Sequence, residues 1–395
     1  MRRMVLNAAL GRTARARRDP AEALTAWRER LRAVLATADG EPDAADWAFA
    51  EDLGFLLQCF AAVPELTPLG WTIQLRSAQQ RFENRLRVKW IHARNPLVGA
   101  APVESPVFVV GLPRAAGTLA HRVLAASPGH RGPLLWELQR TGLDDGGRSS
   151  GAVERQATAL RRLAPDYDAV RPLRADRPEE STEVLWRTPA PLACAPLPDD
   201  YRHDLDQADV TGDYQYLKQV LQVLQYGEPP RRWILRSPWD VAHLDVIRHV
   251  FPDAVFVWMH RDPVFAVPSF CSLVERLTAL HCKEVDPAAI GRRWLPLLAD
   301  AVERGRKLRR GLPEGAVADV NHHRFTGYPH EFAPLLFERI GAEWTLSDRN
   351  GLNGILDDPA RSRPHDYTLE RYGLDKAEVC AAFGDYRQEV ADLRG

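Results

Sequence analysis

Two segments of this 395-residue chain run from a stretch of β-branched and aromatic residues into an arginine beside a proline. The first is Pro106–Thr118, PVFVVGLPRAAGT; the second is Ala254–Ser269, AVFVWMHRDPVFAVPS. Helix-like sequence follows each one. A short unbroken apolar run reads as a strand buried on both faces, and strands that alternate with helices imply a parallel sheet covered on both sides. The fold class that follows is α/β, a P-loop-like parallel sheet flanked by helices. A turn from a strand into a helix N-terminus is an anion site, because free backbone N–H groups and the helix dipole point there. Two such turns, carrying Arg114 and Arg261, fit a ligand with two separated phosphate-like groups.

The rest of the chain divides around residue 100. Residues 1–100 read as a helical N-terminal extension or acceptor-site cap. Asp19–Pro20 opens a helix, with Trp27, Leu31, Val34 and Leu35 at helical spacing, and Asp46–Phe60 and Trp71–Trp90 keep the same period. No strand pattern precedes residue 106. Residues 101–395 read as the α/β domain. Its strands fall at Val107–Val110, Trp233–Leu235, Ala254–Met259 and Ala316–Val320, with a further short one at Leu134–Leu138. Its helices fall at Gly117–Ala126, Arg177–Arg187, Tyr214–Gln225, Val241–Val250, Phe265–His281, Pro287–Arg309 and Pro334–Ile340. Gly142–Gly151 reads as a surface loop, and the proline-rich Pro189–Pro198 as irregular.

Composition narrows the function classes. Hydrophobic residues make up 45% and charged residues 27%, as in ordinary globular domains. A formal net charge of −1 provides no global basic field for nucleic acid or an acidic membrane. Only five residues are Lys, so Arg carries nearly all the positive charge; paired arginines at 161–162, 231–232 and 309–310 read as solvated faces. Cys59, Cys194, Cys271, Cys282 and Cys380 have neither zinc-site nor disulfide-framework spacing, which points to a reducing cytoplasm. The basic N-terminus has too short an apolar run for a signal peptide, and no stretch reads as long enough to span a membrane.

Gly111–Thr118 resembles a phosphate-binding loop but lacks the G-K-[ST] of a Walker A, so no Lys can reach a β/γ-phosphate. That argues against a kinase. The segment 106–125 is similar to the 5′-phosphosulfate loop, P-R-S-G-T-T, of sulfotransferases that use 3′-phosphoadenosine-5′-phosphosulfate (PAPS). The segment 232–270, RWILRSPWDVAHLDVIRHVFPDAVFVWMHRDPVFAVPSF, resembles that family's later half, with a basic residue in an L-K-S-P-like stretch, F-P-D-A, and H-R-D-P with a Ser eight residues after the Arg. The tail 363–390 resembles the end of the large bacterial branch, related to the tyrosylprotein-type enzymes. The likeness covers residues 101 to 390.

The resemblance implies sulfuryl transfer from PAPS to a hydroxylated small-molecule acceptor, with adenosine 3′,5′-bisphosphate (PAP) as product and no metal. Arg114, with Ala115, Ala116, Gly117 and Thr118, would hold the 5′-phosphosulfate, and Arg261 and Ser269 the 3′-phosphate. Arg236 stands where relatives carry a catalytic Lys, and keeps the charge without being able to release a proton. Glu137 falls where tyrosine-sulfating relatives have a general base. Pro178-Glu179-Glu180 matches a recurrent motif of the branch, and either Glu could line the acceptor pocket. The oligomeric state is open, a homodimer included.

Two departures stand out. Ser-Gly-Thr of the usual loop becomes Ala115-Ala116-Gly117, so a left-handed glycine position would now be strained at Ala116, unless Gly117 takes over that role. Pro364 replaces a Lys that often precedes the equivalent of His365. These changes keep open a second reading, in which the fold binds a ligand but has lost or repurposed transfer. His121 reads as a packed or solvated helix residue, His243 as packed in its helix, His260 equally as a support for Arg261 or a proton-transfer group, and His322–His323 as loop surface. Trp136 and Trp186 read as core or pocket wall.

Overall fold

A computed structural model of the chain describes residues 2–11, 15–38, 40–143, 145–358 and 367–393. Pro364 and His365 lie outside the described residues. The chain begins with helices α1 (Arg2–Leu10), α2 (Pro20–Leu35), α3 (Ala44–Ala61), α4 (Pro68–Arg94) and α5 (Pro96–Ala100). Asp19 starts α2 as expected, its carboxylate accepting from the Ala21 N–H at 2.8 Å. Trp27, Leu31 and Val34 of α2 are buried, the inward face that their spacing predicts. Strand β1 (Val107–Gly111) follows, then α6 (Gly117–Ala125), β2 (His130–Arg131), α7 (Leu135–Gln139), α8 (Arg148–Leu163), α9 (Pro165–Val170), α10 (Asp199–Gln207) and α11 (Thr211–Gln225). The α/β pattern continues with β3 (Arg232–Arg236), α12 (Leu244–Val250), β4 (Val255–His260), α13 (Pro263–His281), α14 (Pro287–Arg309) and β5 (Val317–Asn321).

The five strands form one parallel sheet in the order β2-β3-β1-β4-β5. All five residues of β1 are buried, as befits a central strand covered on both faces. Its register sets Val109 beside Arg236 and Gly111 beside Met259. Arginines at the carboxyl ends of β1, β3 and β4 therefore come from three adjacent strands, spaced by about 4.8 Å per strand. Ligands of open α/β sheets bind outside these carboxyl ends. A continuous buried cluster links Trp27, Phe60 and Phe82 of the first helices to Phe108, Trp258 and Trp294 around the sheet.

Four local expectations change. Leu134–Leu138 is not a strand: residues from Leu135 form α7, and the strand lies earlier, at His130–Arg131. Arg177–Arg187 is not an α-helix. Pro178 has no N–H to give, and its neighbours pair with another segment: Leu135 N–H bonds Arg177 O at 3.1 Å and Glu179 N–H bonds Pro133 O at 3.0 Å. Only a 3₁₀ turn, Ser181–Glu183, remains. The Gly142–Gly151 loop ends early, because α8 starts at Arg148. Finally, α13 does reach the length and apolar character of a spanning helix, contrary to the sequence reading; 61% of its apolar window is packed inside the fold, as for a core helix.

Candidate active site

The loop after β1 makes two left-handed steps before α6 starts. Arg114 has φ 70° and Ala116 φ 68°, so the expected strain falls on Ala116 and Gly117 does not relieve it. Gly117 is already helical and serves differently: a Cβ there would lie 2.9 Å from Arg236 Nε. Ala116 caps α6 with no side-chain hydrogen bond, so the cap residue itself offers no acceptor to the first amides of the helix. Ala115 is fully buried in the core, so its side chain serves packing.

Arg114, Ala116, Gly117, Thr118, Arg236 and Arg261 all line one cavity of about 910 Å³. Arg261 Nη1 donates to Arg114 O at 2.7 Å, joining the two arginine turns directly. Its Nη2 donates to Tyr367 Oη at 2.9 Å. Arg114 Nε donates to Ser269 Oγ and its Nη1 to Val170 O, both at 3.3 Å. Ser269 is buried behind the lining and meets Arg114 rather than Arg261. Burial, with Arg261 and Arg236 close by, pushes the Arg114 pKa down to about 10. The guanidinium stays charged at neutral pH, in a field that favours an incoming anion.

Arg236 and a further arginine, Arg171, are compensated. Arg236 pairs with Glu180, and Arg171 Nη2 pairs with Glu179 at 2.7 Å and Glu180 at 3.3 Å. Burial alone would raise the Glu180 carboxyl, but Arg171 and Arg236 outweigh it and hold it low. Glu179 moves the other way: burial pushes its pKa up, and Glu180 adds to the push against Arg171. Both carboxylates line the cavity, as does Arg171. The sequence reading missed Arg171, because the loop after α9 carries no motif. It also took His322 as loop surface, whereas His322 lines the cavity.

Glu137 stands apart. It is buried, pairs with Arg131 at 2.6 Å, accepts from the Leu134 N–H at 2.8 Å as the capping box of α7, and is not among the lining residues. His121 is also internal: its Nε2 bonds Ile234 O at 3.0 Å, and burial pushes its pKa down to about 3. His260 stacks on Trp258 and bonds Asp319 and Tyr386, away from the cavity. His243 is largely buried in the turn after β3, and burial lowers its pKa to about 4. Trp186 lines the cavity and packs edge-on against Phe49, while Trp136 does not reach it. Among the described residues, no three His, Cys, Asp or Glu side chains cluster as metal ligands.

A family model described as the sulfotransferase family matches residues 106–346. This chain belongs to the sulfotransferase family. The match spans both arginine turns and the Pro-Glu-Glu segment between them. Among solved structures, the sulfotransferase STF9 from Mycobacterium avium superposes with a TM-score of 0.79 at 24% identity, covering 92% of this chain and 95% of that one. STF1 from Mycobacterium tuberculosis H37Rv gives 0.75 at 23% identity, covering 87% and 93%. These likenesses establish a shared sulfotransferase fold that includes the N-terminal helices. The search of curated proteins finds no match.

Proposed function

We propose that this sulfotransferase moves a sulfuryl group from PAPS to a hydroxyl of a small-molecule acceptor. The observation that carries the reading is the pair Arg114 and Arg261, which line one cavity, are joined by the Arg261–Arg114 O hydrogen bond and, among the described residues, bond only neutral oxygens. Partly buried cations without a counter-charge are costly, and a doubly anionic nucleotide supplies the missing charge at both ends. Arg114 with the Ala116–Thr118 backbone would hold the 5′-phosphosulfate, and Arg261 with Ser269 the 3′-phosphate. The uncapped start of α6 adds N–H donors and dipole to the first of these. When bound, PAPS provides an electrophilic sulfuryl group and a phosphate leaving group.

The chain's own residues do the remaining work. Arg236, whose guanidinium lines the cavity and pairs with Glu180, stabilises charge; a well-aimed donor of this kind contributes ~3–4 kcal/mol. Gly117 leaves room for its guanidinium beside the loop. For the general base we assign Glu179 in place of Glu137. It lines the cavity with a carboxyl pushed up by burial, which suits proton abstraction near neutral pH. Glu180 is held by two arginines and keeps them oriented. No metal has a part in this scheme. The cytoplasm is the proposed setting, supported by five free cysteines.

Release of PAP from PAPS tests the roles. Glu179→Gln should lower turnover by about a hundredfold or more, leave PAP binding intact, and remove from the residual rate the rise as pH climbs through the carboxyl's elevated pKa. Glu137→Gln should instead cost ~1–3 kcal/mol of stability by weakening a buried ion pair, with turnover per folded molecule retained. Full activity in the Glu179 variant, or loss confined to the Glu137 variant, returns the base to Glu137. Binding of PAP without any turnover by the wild-type chain would favour the repurposed-fold reading that Ala115 and Ala116 prompt.

A further inference from the structure

The cavity continues past the arginines, and we infer that its second part takes the long apolar body of a lipophilic alcohol. This deepens the sulfuryl-transfer reading and depends on it for what happens at the reacting end. Leu6 of α1, Leu69 and Ile73 of α4, Leu160 of α8, and Leu277 and Leu280 of α13 line this part. They belong to a small apolar cluster with Tyr167, which meets the main core at Leu277. Leu6, Ile73, Leu160 and Leu277 remain only half-buried there, so hydrocarbon surface is left for a ligand to cover. His281, at the same end, donates its Nδ1–H to Leu277 O at 2.9 Å, and burial pushes its pKa down to about 4, so it stays neutral and keeps a single buried acceptor, Nε2. A sugar or amino-acid acceptor would find few partners for its polar groups against these leucines.

The apolar part adjoins the reacting groups through a chain of contacts. Arg171 Nη1 donates to Tyr167 Oη at 3.3 Å, and the same guanidinium holds Glu179. An alkyl body lying among the leucines therefore brings a terminal hydroxyl toward Glu179. Helix α1 closes the far side: Arg3 Nη1 donates to Ala279 O at 2.8 Å, and Asn7 accepts from the Leu69 N–H at 2.8 Å, which turns Leu6 inward.

The test is calorimetric titration of the full chain with octanol, decanol and dodecanol, and with methyl glucoside as the polar contrast, with and without PAP. Affinity should rise by about fourfold for each added methylene, and methyl glucoside should not bind. Ile73→Gln and Leu160→Gln should each weaken dodecanol by about tenfold or more and leave PAP binding unchanged, while Arg261→Ala should do the reverse. If one glutamine variant fails to fold, the other carries the comparison. Affinity independent of chain length, or wild-type dodecanol binding in a folded glutamine variant, overturns the inference. PAP binding without alcohol binding sinks this inference alone, and alcohol binding without PAP binding sinks the donor assignment alone.

Discussion

Ala116 carries the local price of this loop's departure from the family pattern. Its φ of 68° is one that an L-residue with a Cβ adopts at a cost of about 1–2 kcal/mol, whereas glycine adopts it freely. Ala116→Gly should therefore stabilise the fold by up to about 1 kcal/mol in denaturant titration, the relief of strain exceeding the added flexibility of the unfolded chain. Loss of stability would mean that the left-handed step is not the resting conformation of the loop. Single residues were legible where a motif fixed them. Arg114, Arg236 and Arg261 converge as their strand ends imply. Glu137 was less legible, because a helix-start carboxylate beside a motif has the same appearance in sequence whether it caps a helix or faces a pocket. Its partner Arg131 holds it in the capping box of α7, and nothing in the sequence joins the two.

At the scale of elements, long apolar strands and helices with clear periodicity emerged close to their sequence bounds, as β1, β4, α13 and α14 do. Short elements did not. The two-residue β2 has too few side chains to carry a period, and the Pro-Glu-Glu segment looks helical by composition but is held extended by its pairing with Pro133 and Leu135. The turn after β3 hides another feature that composition cannot reveal. Asp240, fully buried, accepts from Tyr214 Oη at 2.8 Å, and burial pushes its pKa up to about 7. An unfolded aspartate titrates near 3.9. Between about pH 4 and pH 7 the folded chain thus keeps a proton that the unfolded chain has lost. Stability should decline as pH rises through that window, with the full penalty present above it. Asp240→Asn should flatten the decline and stabilise the protein at pH 8 by an amount on the order of a few kcal/mol, read from melting curves across pH. An unchanged pH profile would show that another group sets it.

Across the whole molecule, the sheet supplies charge and the surrounding helices supply hydrocarbon. Three strand ends bring guanidiniums to one side of the cavity, and α1, α4, α8 and α13 build the other. The α/β half was readable because its strands and turns are local signals. The N-terminal helices were readable only as an extension or an acceptor-site cap, since a helical period tells which face is buried but not whether that face meets a core or a ligand. The account stands on Arg114 and Arg261 holding opposite ends of one nucleotide. The direct measurement is calorimetric titration with PAP and with adenosine 5′-monophosphate, on the wild-type chain and on Arg261→Ala. Wild type should bind PAP more tightly by about tenfold or more, a charge-assisted bond to the 3′-phosphate being worth ~1.5–3 kcal/mol, and Arg261→Ala should erase that preference. Equal affinity for the two nucleotides in the wild-type chain, or a preference for PAP that survives the substitution, would contradict it.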